Sequence, residues 1–353
     1  MMRMDIAGRR VGDGAPTYVI AELSANHGQS LDVALGLVQA AADAGADAVK
    51  LQTYTPDTIT LRSDKDHFRI AAGTVWDGST MYDLYAEAYT PWEWHRPLKQ
   101  AAQERGLAFF SSPFDASAVD FLEELGVPAY KIASFELVDI GLIERCARTG
   151  KPIIISTGMA TLPEIEEGVA AAREAGATEI AVLKCTSAYP APLDEMDLRT
   201  IPDMARRLGL LVGLSDHTMG DLAPVVAVAL GAVIVEKHLT LSRADASPDS
   251  GFSTEAAEFA AMVQAIRSAE QALGGVRYEP SASEVDSRIL RRSLFVVADV
   301  AAGEAFGPAN VRSIRPGHGL HTRHLPEVIG RHASVSIEAG TPLRWELIAD
   351  DQT

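Results

Sequence analysis

Eight short apolar runs recur along the first two thirds of the chain, and each leads directly into polar residues capable of chemistry. The runs occupy residues 18–21, 48–49, 107–110, 129–130, 153–155, 180–183, 210–214 and 233–235. A parallel strand that is buried on both faces has this continuous apolar character. In a (β/α)8 barrel, the C-terminal ends of the strands carry the catalytic groups. The pattern therefore predicts both a fold and the position of a site.

Helical segments are predicted between the runs, and most begin after a capping residue and end at a glycine. They span residues 31–44, 91–105, 116–125, 161–175, 221–230 and 254–273. Strands that alternate with helices indicate a parallel α/β sheet, and eight units favour a closed barrel over an open doubly wound sheet. No G-x-G-x-x-G motif follows the first run, which argues against a dinucleotide-binding fold.

The domain boundaries are predicted from the length of the chain and from the residue pattern along it. A barrel of this type takes about 250 residues, whereas the chain has 353. We predict a catalytic barrel over 1–275 that begins with a hairpin near 4–11, a linker over 276–292 and a small β-rich domain over 293–353. A long insertion at 54–90 carries several aromatic residues. Either it shapes a substrate pocket or its aromatic side chains pack on one another.

The charge balance limits the partners. With 31 basic and 48 acidic residues, the net charge is −17, which argues against nucleic acid and against membrane surfaces. No apolar run reaches the ~18 residues that cross a bilayer, and none follows Met1, so we expect a cytoplasmic protein. The two cysteines, Cys146 and Cys185, indicate no disulfide framework. Cys185 ends a run and is either a nucleophile or a small buried thiol.

Two histidines, His217 and His238, follow the last two apolar runs. Adjacent barrel strands lie ~4.8 Å apart, so residues at their ends can share one ion. Two imidazoles with water suit a transition metal such as Mn²⁺, Fe²⁺ or Zn²⁺. The alternative is two ordinary polar histidines in loops, and we favour the metal. His27, after the first run, is a weaker candidate.

Two glutamates, Glu22 and Glu136, also follow apolar runs. One carboxylate can hold a water molecule on the metal or a sugar hydroxyl, and the other can act as a general base on that water. Alternatively, each pairs with a lysine and only sets the geometry.

Lysines and serines complete the predicted site at the C-terminal ends of the barrel strands, which we call the mouth of the barrel. The lysines at strand ends are Lys50, Lys131, Lys184 and Lys237, and the serines are Ser112, Ser134, Ser156 and Ser215. They can receive phosphate and carboxylate groups. A Schiff-base lysine of the aldolase type is the rival interpretation. The histidine pair and the many hydroxyls favour the charge-receiving role.

Several tracts, taken in order, resemble the sialic acid synthase family of phosphoenolpyruvate-dependent nonulosonate synthases. They are residues 21–27, 45–53, 111–114, 130–136, 156–159, 184–190, 213–217 and 236–238. The segment Arg315-Pro-Gly317 resembles a landmark of the antifreeze-like (SAF) domain in that family. The resemblance implies a (β/α)8 TIM barrel with a C-terminal SAF domain.

The resemblance also implies a reaction. Phosphoenolpyruvate condenses with an aminosugar through C–C bond formation, C–O cleavage and release of phosphate, in a metal-dependent transferase. Tracts 52–60, 88–94 and 133–136 are most similar to the branch that uses 2,4-diacetamido-2,4,6-trideoxy-L-altrose. The legionaminic and N-acetylneuraminic acid branches are the alternative. A non-catalytic protein that binds glycan or ice is the rival from another class.

Residue roles are carried over position by position. The resemblance assigns His217 and His238 to the metal, with Mn²⁺ expected and Mg²⁺ or Co²⁺ as alternatives. The catalytic set is Glu136, which activates water, Glu22, at the sugar end, and Lys131. The phosphoenolpyruvate set is Lys50, Lys131, Ser112, Ser134, Ser156 and Ser215. The sugar set is Gln52, Tyr189 and Asp249, with Phe114 nearby and Ser187 where sialic acid synthases commonly have Asn. Arg315 is implied to enter the partner's site in a domain-swapped homodimer.

Overall fold

Every predicted apolar run forms a strand in the computed structural model of the protein, which describes residues 3–12, 14–71, 73, 76–245 and 247–350. The chain divides into two units, Met1–Gly274 and Gly275–Thr353. The strands of the first unit are β1 (Arg3–Ile6), β2 (Arg9–Gly12), β3 (Tyr18–Glu22), β4 (Ala48–Thr53), β5 (Ala108–Pro113), β6 (Tyr130–Ile132), β7 (Ile153–Ser156), β8 (Ile180–Cys185), β9 (Leu211–Asp216), β10 (Ile234–Thr240) and β11 (Thr254–Glu255).

Strands β3 to β10 close into a barrel. Each pairs in parallel with the next, and β10 pairs with both β9 and β3, which completes the ring. The predicted (β/α)8 barrel is therefore confirmed. The register aligns His238 of β10 with Glu22 of β3, and Glu22 with Lys50 of β4. Polar residues from three neighbouring strands thus meet at one end of the barrel.

Ten helices of the first unit flank the strands in the described residues. They are α1 (Leu31–Asp43), α2 (Pro56–Ile59), α3 (Met81–Ala88), α4 (His95–Glu104), α5 (Ala116–Leu125), α6 (Ile140–Ala147), α7 (Leu162–Glu174), α8 (Thr200–Leu208), α9 (Leu222–Ala229) and α10 (Ala256–Leu273). The predicted caps are present at α1, where Ser30 accepts from Val33 N–H, and at α5, where Asp115 accepts from Ala118 N–H. Helices α2, α3, α6 and α8 were not predicted; each has nine residues or fewer.

The N-terminal hairpin lies at the opposite end of the barrel from the polar strand ends. Strands β1 and β2 pair antiparallel, and Met4 and Val11 join the barrel's apolar core. Arg9 Nη1 lies 2.5 Å from Asp47 Oδ1, just before β4 begins. Asp47 Oδ2 also accepts from Val19 N–H at 2.8 Å. One carboxylate therefore ties the hairpin to two barrel strands.

The aromatic residues of the insertion between β4 and β5 make two kinds of contact. Tyr54 and Tyr85 pack edge to face within it, with centroids 5.5 Å apart. Trp76 extends to the loops after β8 and β10, where its Nε1–H donates to Pro248 O at 2.9 Å. The insertion thus packs some aromatic side chains internally and brings another to the polar end of the barrel.

The second unit has its own core. Its elements are α11 (Ala282–Val285), β12 (Ser293–Val296), β13 (Val311–Ile314) and α12 (Leu325–Val328). Strands β12 and β13 pair antiparallel around buried Leu294, Val296 and Phe306. The segment predicted as a linker contains α11 and groups with this unit, where Gly317 N–H donates to Ile289 O at 2.7 Å.

Across the described residues, every helix is too short or too polar to cross a bilayer.

Candidate active site

A buried ionic cluster occupies the C-terminal end of the barrel. We define the lysine cluster as Glu22, Lys50, Lys131 and Glu236. Lys50 Nζ pairs with Glu22 and lies 3.6 Å from Glu236 Oε1, and Lys131 Nζ lies 3.4 Å from the same oxygen. The four side chains come from four different strands, and each residue is at most 5% exposed. Two lysine and two glutamate side chains therefore share a space that is almost closed to water.

The other two lysines predicted in the mouth lie elsewhere. Lys237 pairs with Asp216 and donates to Thr218 O at 2.5 Å. Lys184 Nζ donates to Cys185 O at 3.0 Å. Successive side chains of a strand point to opposite faces, so Lys237 cannot share the face of Glu236 and His238. The prediction that all four lysines line one mouth is corrected to Lys50 and Lys131.

The surroundings of Lys50 and Lys131 shift the pKa values of the two lysines in opposite directions. Burial disfavours the charge on Lys50, but the carboxylates of Glu22 and Glu236 outweigh burial and raise the pKa of Lys50. Burial lowers the pKa of Lys131, and Glu236 only partly offsets it. For Glu236, the charges of Lys131 and Lys50 outweigh burial and lower its pKa. Glu236 is therefore held as an anion between two lysines.

Serine hydroxyls surround this cluster. Ser112 Oγ accepts from Lys50 Nζ at 3.3 Å, and Ser215 Oγ donates to Glu236 Oε1 at 3.4 Å. Ser156 is buried, and its hydroxyl has no partner among the described residues. Buried polar groups normally have partners. The Ser156 hydroxyl is therefore available to a ligand.

Gly158 allows two further hydroxyls to approach the backbone. Its N–H donates to Ser134 Oγ at 3.1 Å. A Cβ at this position would lie 2.8 Å from Ser134 Oγ and would also collide with Ser187 Oγ. Only glycine leaves this space open. Ser134 and Ser187 thus line a cradle whose depth Gly158 sets.

The two predicted metal ligands lie side by side. The rings of His217 and His238 have centroids 5.4 Å apart. His217 Nδ1 lies 2.9 Å from Thr186 O; a carbonyl only accepts, so Nδ1 carries the proton and Nε2 keeps its lone pair. Burial holds the pKa of His238 well below its usual range, which favours its neutral form. Burial also opposes a charge on His217, but Cys185 outweighs it and raises the pKa of His217, so ligation by His217 would require loss of its second proton.

These features fit a divalent metal ion. Metal ligation needs neutral imidazoles with free lone pairs, and His238 Nδ1 is buried without a partner among the described residues. The described part of the chain contains no group of three or more His, Cys, Asp or Glu arranged to hold a metal. His217 and His238 would therefore supply the protein ligands, with the remaining positions left to water or substrate, as in open catalytic sites.

Glu136 lies in a 3-10 turn, Ser134–Val138, directly after β6. Burial raises its pKa to about 7, although the charge of Lys131 opposes that rise. Its Oε2 is buried with no partner among the described residues. An unpartnered carboxylate with a pKa near neutrality has the properties of a general base.

Aromatic side chains enclose the histidine pair. We define the aromatic wall as Tyr189, Phe252 and Trp76. The Tyr189 ring lies 4.5 Å from His217, 5.0 Å from Phe252 and 5.4 Å from Trp76, measured between centroids. Phe252 also lies 5.2 Å from His238. The wall gives this side of the site an apolar surface.

The remaining predicted residues lie in three places. Gln52 and Asp249 meet at Ser24, and Phe114 packs on Tyr54 with centroids 5.1 Å apart. Arg315 alone among the predicted site residues belongs to the second unit. It lines a cavity of about 560 Å³ together with Arg291, Arg292, Ser313 and Thr322.

Two residues near the site keep local roles. Cys185 is buried, with its Sγ 3.8 Å from Ser187 Oγ and 3.9 Å from His217 Nδ1. His27 Nε2 lies 3.1 Å from Thr90 Oγ1, and its ring packs on Trp94. His27 therefore joins the loop after β3 to the end of the insertion rather than joining the histidine pair.

Sequence reasoning missed Glu236, Gly158 and Phe252 as site residues. Glu236 could have been predicted, because it lies two positions before His238 and therefore shares the same face of β10. Gly158 and Phe252 lie in loops after β7 and β10, where no periodicity marks them.

Comparison with known proteins places the chain in a family. A model described as the NeuB family matches residues 37–278, and a SAF domain model matches residues 291–349. The pseudaminic acid synthase of Campylobacter jejuni is 45% identical over 93% of this chain and 95% of its own length. That of Helicobacter pylori is 44% identical over 93% and 96%.

A solved structure agrees with both the fold and the resemblance. The N-acetylneuraminic acid (sialic acid) synthetase from Leptospira borgpetersenii matches with a TM-score of 0.72 and 31% identity, over 81% of this chain and 94% of that one. The resemblance to the sialic acid synthases is therefore confirmed, and the chain belongs to the NeuB family, with a SAF domain after its barrel.

Proposed function

We propose that this protein condenses phosphoenolpyruvate with 2,4-diacetamido-2,4,6-trideoxy-L-altrose to form pseudaminic acid and phosphate. The observation that carries the proposal is the lysine cluster, with its ring of hydroxyls, at the same end of the barrel as the histidine pair. Buried lysines and hydroxyls beside a candidate metal site suit a reaction that joins a phosphorylated acid to an aldehyde. The 44–45% identity to pseudaminic acid synthases, against 31% to the solved N-acetylneuraminic acid synthetase, favours the altro-configured sugar.

Lys50, Lys131 and the serines around them would bind phosphoenolpyruvate. Lys50 and Lys131 would supply positive charge and Ser112 and Ser156 hydrogen-bond donors, while Ser215 lies beside them with its proton directed at Glu236. Fixed donors in a space without water stabilise an anion more strongly than water does. The Ser134 and Ser187 hydroxyls at the Gly158 cradle extend this set.

The condensation joins carbon 3 of phosphoenolpyruvate to the aldehyde carbon of the open-chain sugar. A divalent cation held by His217 and His238, with Mn²⁺ as our first choice and Mg²⁺ or Co²⁺ as alternatives, would supply Lewis-acid polarisation of the aldehyde. Positive charge develops at carbon 2, where water adds. Glu136 takes the proton of that water, and Lys131 offsets the charge nearby. Phosphate then leaves as its C–O bond breaks and a ketone forms, and the two protons of the added water end on the new sugar hydroxyl and on phosphate.

The proposal is tested by phosphate release. Purified protein with Mn²⁺ and phosphoenolpyruvate is incubated with the altro-configured sugar, its legionaminate counterpart or N-acetylmannosamine. We expect kcat/KM for the first to exceed the others by at least about tenfold, a discrimination that pocket contacts readily supply. No sugar-dependent phosphate release with any of the three would refute the synthase. Preference for another sugar would replace only the sugar assignment.

We also propose a cytoplasmic, domain-swapped homodimer in which Arg315 completes the partner's site. Apolar side chains in the segment before β12 are unusually exposed: 92% for Val276, 96% for Tyr278 and 58% for Leu290. Exposed apolar surface of this kind marks protein interfaces. A second copy of the chain would cover it.

Mixing two inactive variants tests the exchange of Arg315. We expect Arg315→Ala and His217→Ala homodimers to be inactive, but mixed dimers to contain one site with both residues intact. Up to about a quarter of wild-type activity should return after subunit exchange, from the statistics of a two-fold dimer. Exchange verified by mass, with no recovered activity, would rule out action in trans.

A further inference from the structure

Ser24 has an unusual backbone for a serine. It follows β3 by two residues and adopts φ 43°, in the left-handed region that glycine occupies without strain. The residue is 2% exposed. Non-glycine residues held in such conformations concentrate at functional sites. The contacts of Ser24 indicate which function it serves.

Three predicted sugar contacts converge on Ser24. Gln52 Nε2 lies 3.3 Å from its Oγ, and the hydroxyl bonds to Asp249 Oδ2, 225 residues away along the chain. The Ser24 N–H donates to Glu22 Oε1 at 2.8 Å. Strand β3, strand β4 and the loop after β10 therefore meet at one residue, β3 through its backbone N–H and the other two through its hydroxyl.

The single hydroxyl proton fixes the direction of these bonds. The carboxylate of Asp249 can only accept, so Ser24 donates to it and accepts from the amide nitrogen of Gln52. That arrangement turns Oε1 of Gln52 away from Ser24. Ala25 N–H also approaches Asp249 Oδ2, at 3.4 Å. Asp249 Oδ1 has no hydrogen bond within the described part of the chain.

Two acceptors are thus left for a ligand, Oε1 of Gln52 and Oδ1 of Asp249. Fully ionised phosphoenolpyruvate has no N–H or O–H group to donate to them. An aminosugar has both hydroxyls and amide N–H groups. The chemistry of the subsite therefore matches the sugar and not the phosphoenolpyruvate.

We propose that Ser24 is a positioning residue of the sugar subsite. Its hydroxyl, bonded to both side chains, orients Gln52 and Asp249 so that their free oxygens face the donor groups of the aminosugar. The inference rests on the function proposed above, because it takes the aminosugar as the ligand.

Two substitutions separate positioning from folding. Ser24→Ala removes the hydroxyl and keeps the strained backbone, whereas Ser24→Gly removes the hydroxyl and relieves the strain. Ser111→Ala is the matched control, since Ser111 is equally buried but its hydroxyl bonds only to Thr53 Oγ1, at 2.6 Å, in the described residues.

The main measurement is the Kd of the unreactive alditol of the altro-configured sugar, obtained by calorimetry on the full-length protein with Mn²⁺. We expect both Ser24 variants to weaken alditol binding about tenfold or more, the effect of a lost hydrogen-bond network member. The KM for phosphoenolpyruvate should stay within about twofold. Ser111→Ala should change neither constant.

The melting temperature gives the second measurement. A purely structural role predicts a lower Tm for Ser24→Ala, recovery in Ser24→Gly and an unchanged alditol Kd in both, and that result would overturn the inference. Equal losses for alditol and phosphoenolpyruvate would overturn it as well, as would no alditol binding by the wild type. Failure of wild-type phosphate release, with alditol binding intact, would refute the proposed function alone.

Discussion

Replacing Glu136 with glutamine is expected to lower kcat about a thousandfold, within the range contributed by a positioned general base. Glutamine keeps the shape of the side chain but cannot take a proton from water. The lysine cluster is untouched, so the KM for phosphoenolpyruvate should stay within about twofold. Steady-state phosphate release measures both constants. Glu167→Gln, on the exposed surface of α7, is the control and should behave as wild type.

The pH dependence of kcat gives a separate test of Glu136. Its pKa is about 7, so the base is neutral and inactive below that pH. Wild-type kcat should fall about tenfold per pH unit on the acid side, and Glu136→Gln should lose this limb. A variant that keeps more than a tenth of wild-type kcat, or keeps the acid limb, would contradict the assignment.

The same substitution should stabilise the fold at alkaline pH. A carboxyl group whose pKa is raised on folding loses stability as pH rises from its unfolded value, 4.5, to about 7. Above pH 7 the folded wild type carries the full cost of a buried charge, and glutamine removes it. The gain is at most roughly 3 kcal/mol, from the size of the pKa change. Denaturant unfolding at pH 5 and pH 8 measures it.

Replacing His217 with alanine is expected to reduce turnover by at least about a thousandfold, since a Lewis acid supplies several kcal/mol of transition-state stabilisation. The substitution removes one of two neighbouring imidazoles. Chelation of the wild type should have the same effect, and added Mn²⁺ should restore the wild type but not the variant. Electron paramagnetic resonance of bound Mn²⁺ reports the lost site without reference to activity.

His27→Ala provides the matched control for this experiment. His27 is buried in the same barrel but contacts Thr90 and Trp94. It should retain Mn²⁺ binding even if its Tm falls. Turnover that survives thorough chelation, or wild-type Mn²⁺ affinity in His217→Ala, would refute the metal role.

The sequence predicted the barrel because buried parallel strands have a local signature. It also placed Lys50, Lys131, His217 and His238 at one end, because they follow those strands. Its error concerned Lys184 and Lys237, which were grouped by position along the chain without regard to strand parity. Alternate residues of a strand point to the same face, so Glu236 shares the face of His238 and Lys237 does not.

Other parts of the site have no local signature. Ser24 meets Asp249 across 225 residues, and Trp76 reaches the aromatic wall from an insertion. Such contacts exist only once the barrel has closed and its loops have converged. A positive φ at a serine cannot be recognised from residue type, because that conformation is rare for any residue other than glycine.

The pair between Asp216 and Lys237 lies directly behind the two histidines. Asp216 precedes His217, Lys237 precedes His238, and both side chains are at most 2% exposed. A buried ion pair of this kind specifies one arrangement of its neighbours, because breaking it would leave an unpaired charge inside the protein. The ion pair thus holds the ends of two neighbouring strands together, so the spacing of the two imidazoles is a property of the scaffold. If the two histidines hold an ion as proposed, replacing one divalent metal by another would need no rearrangement of the strands.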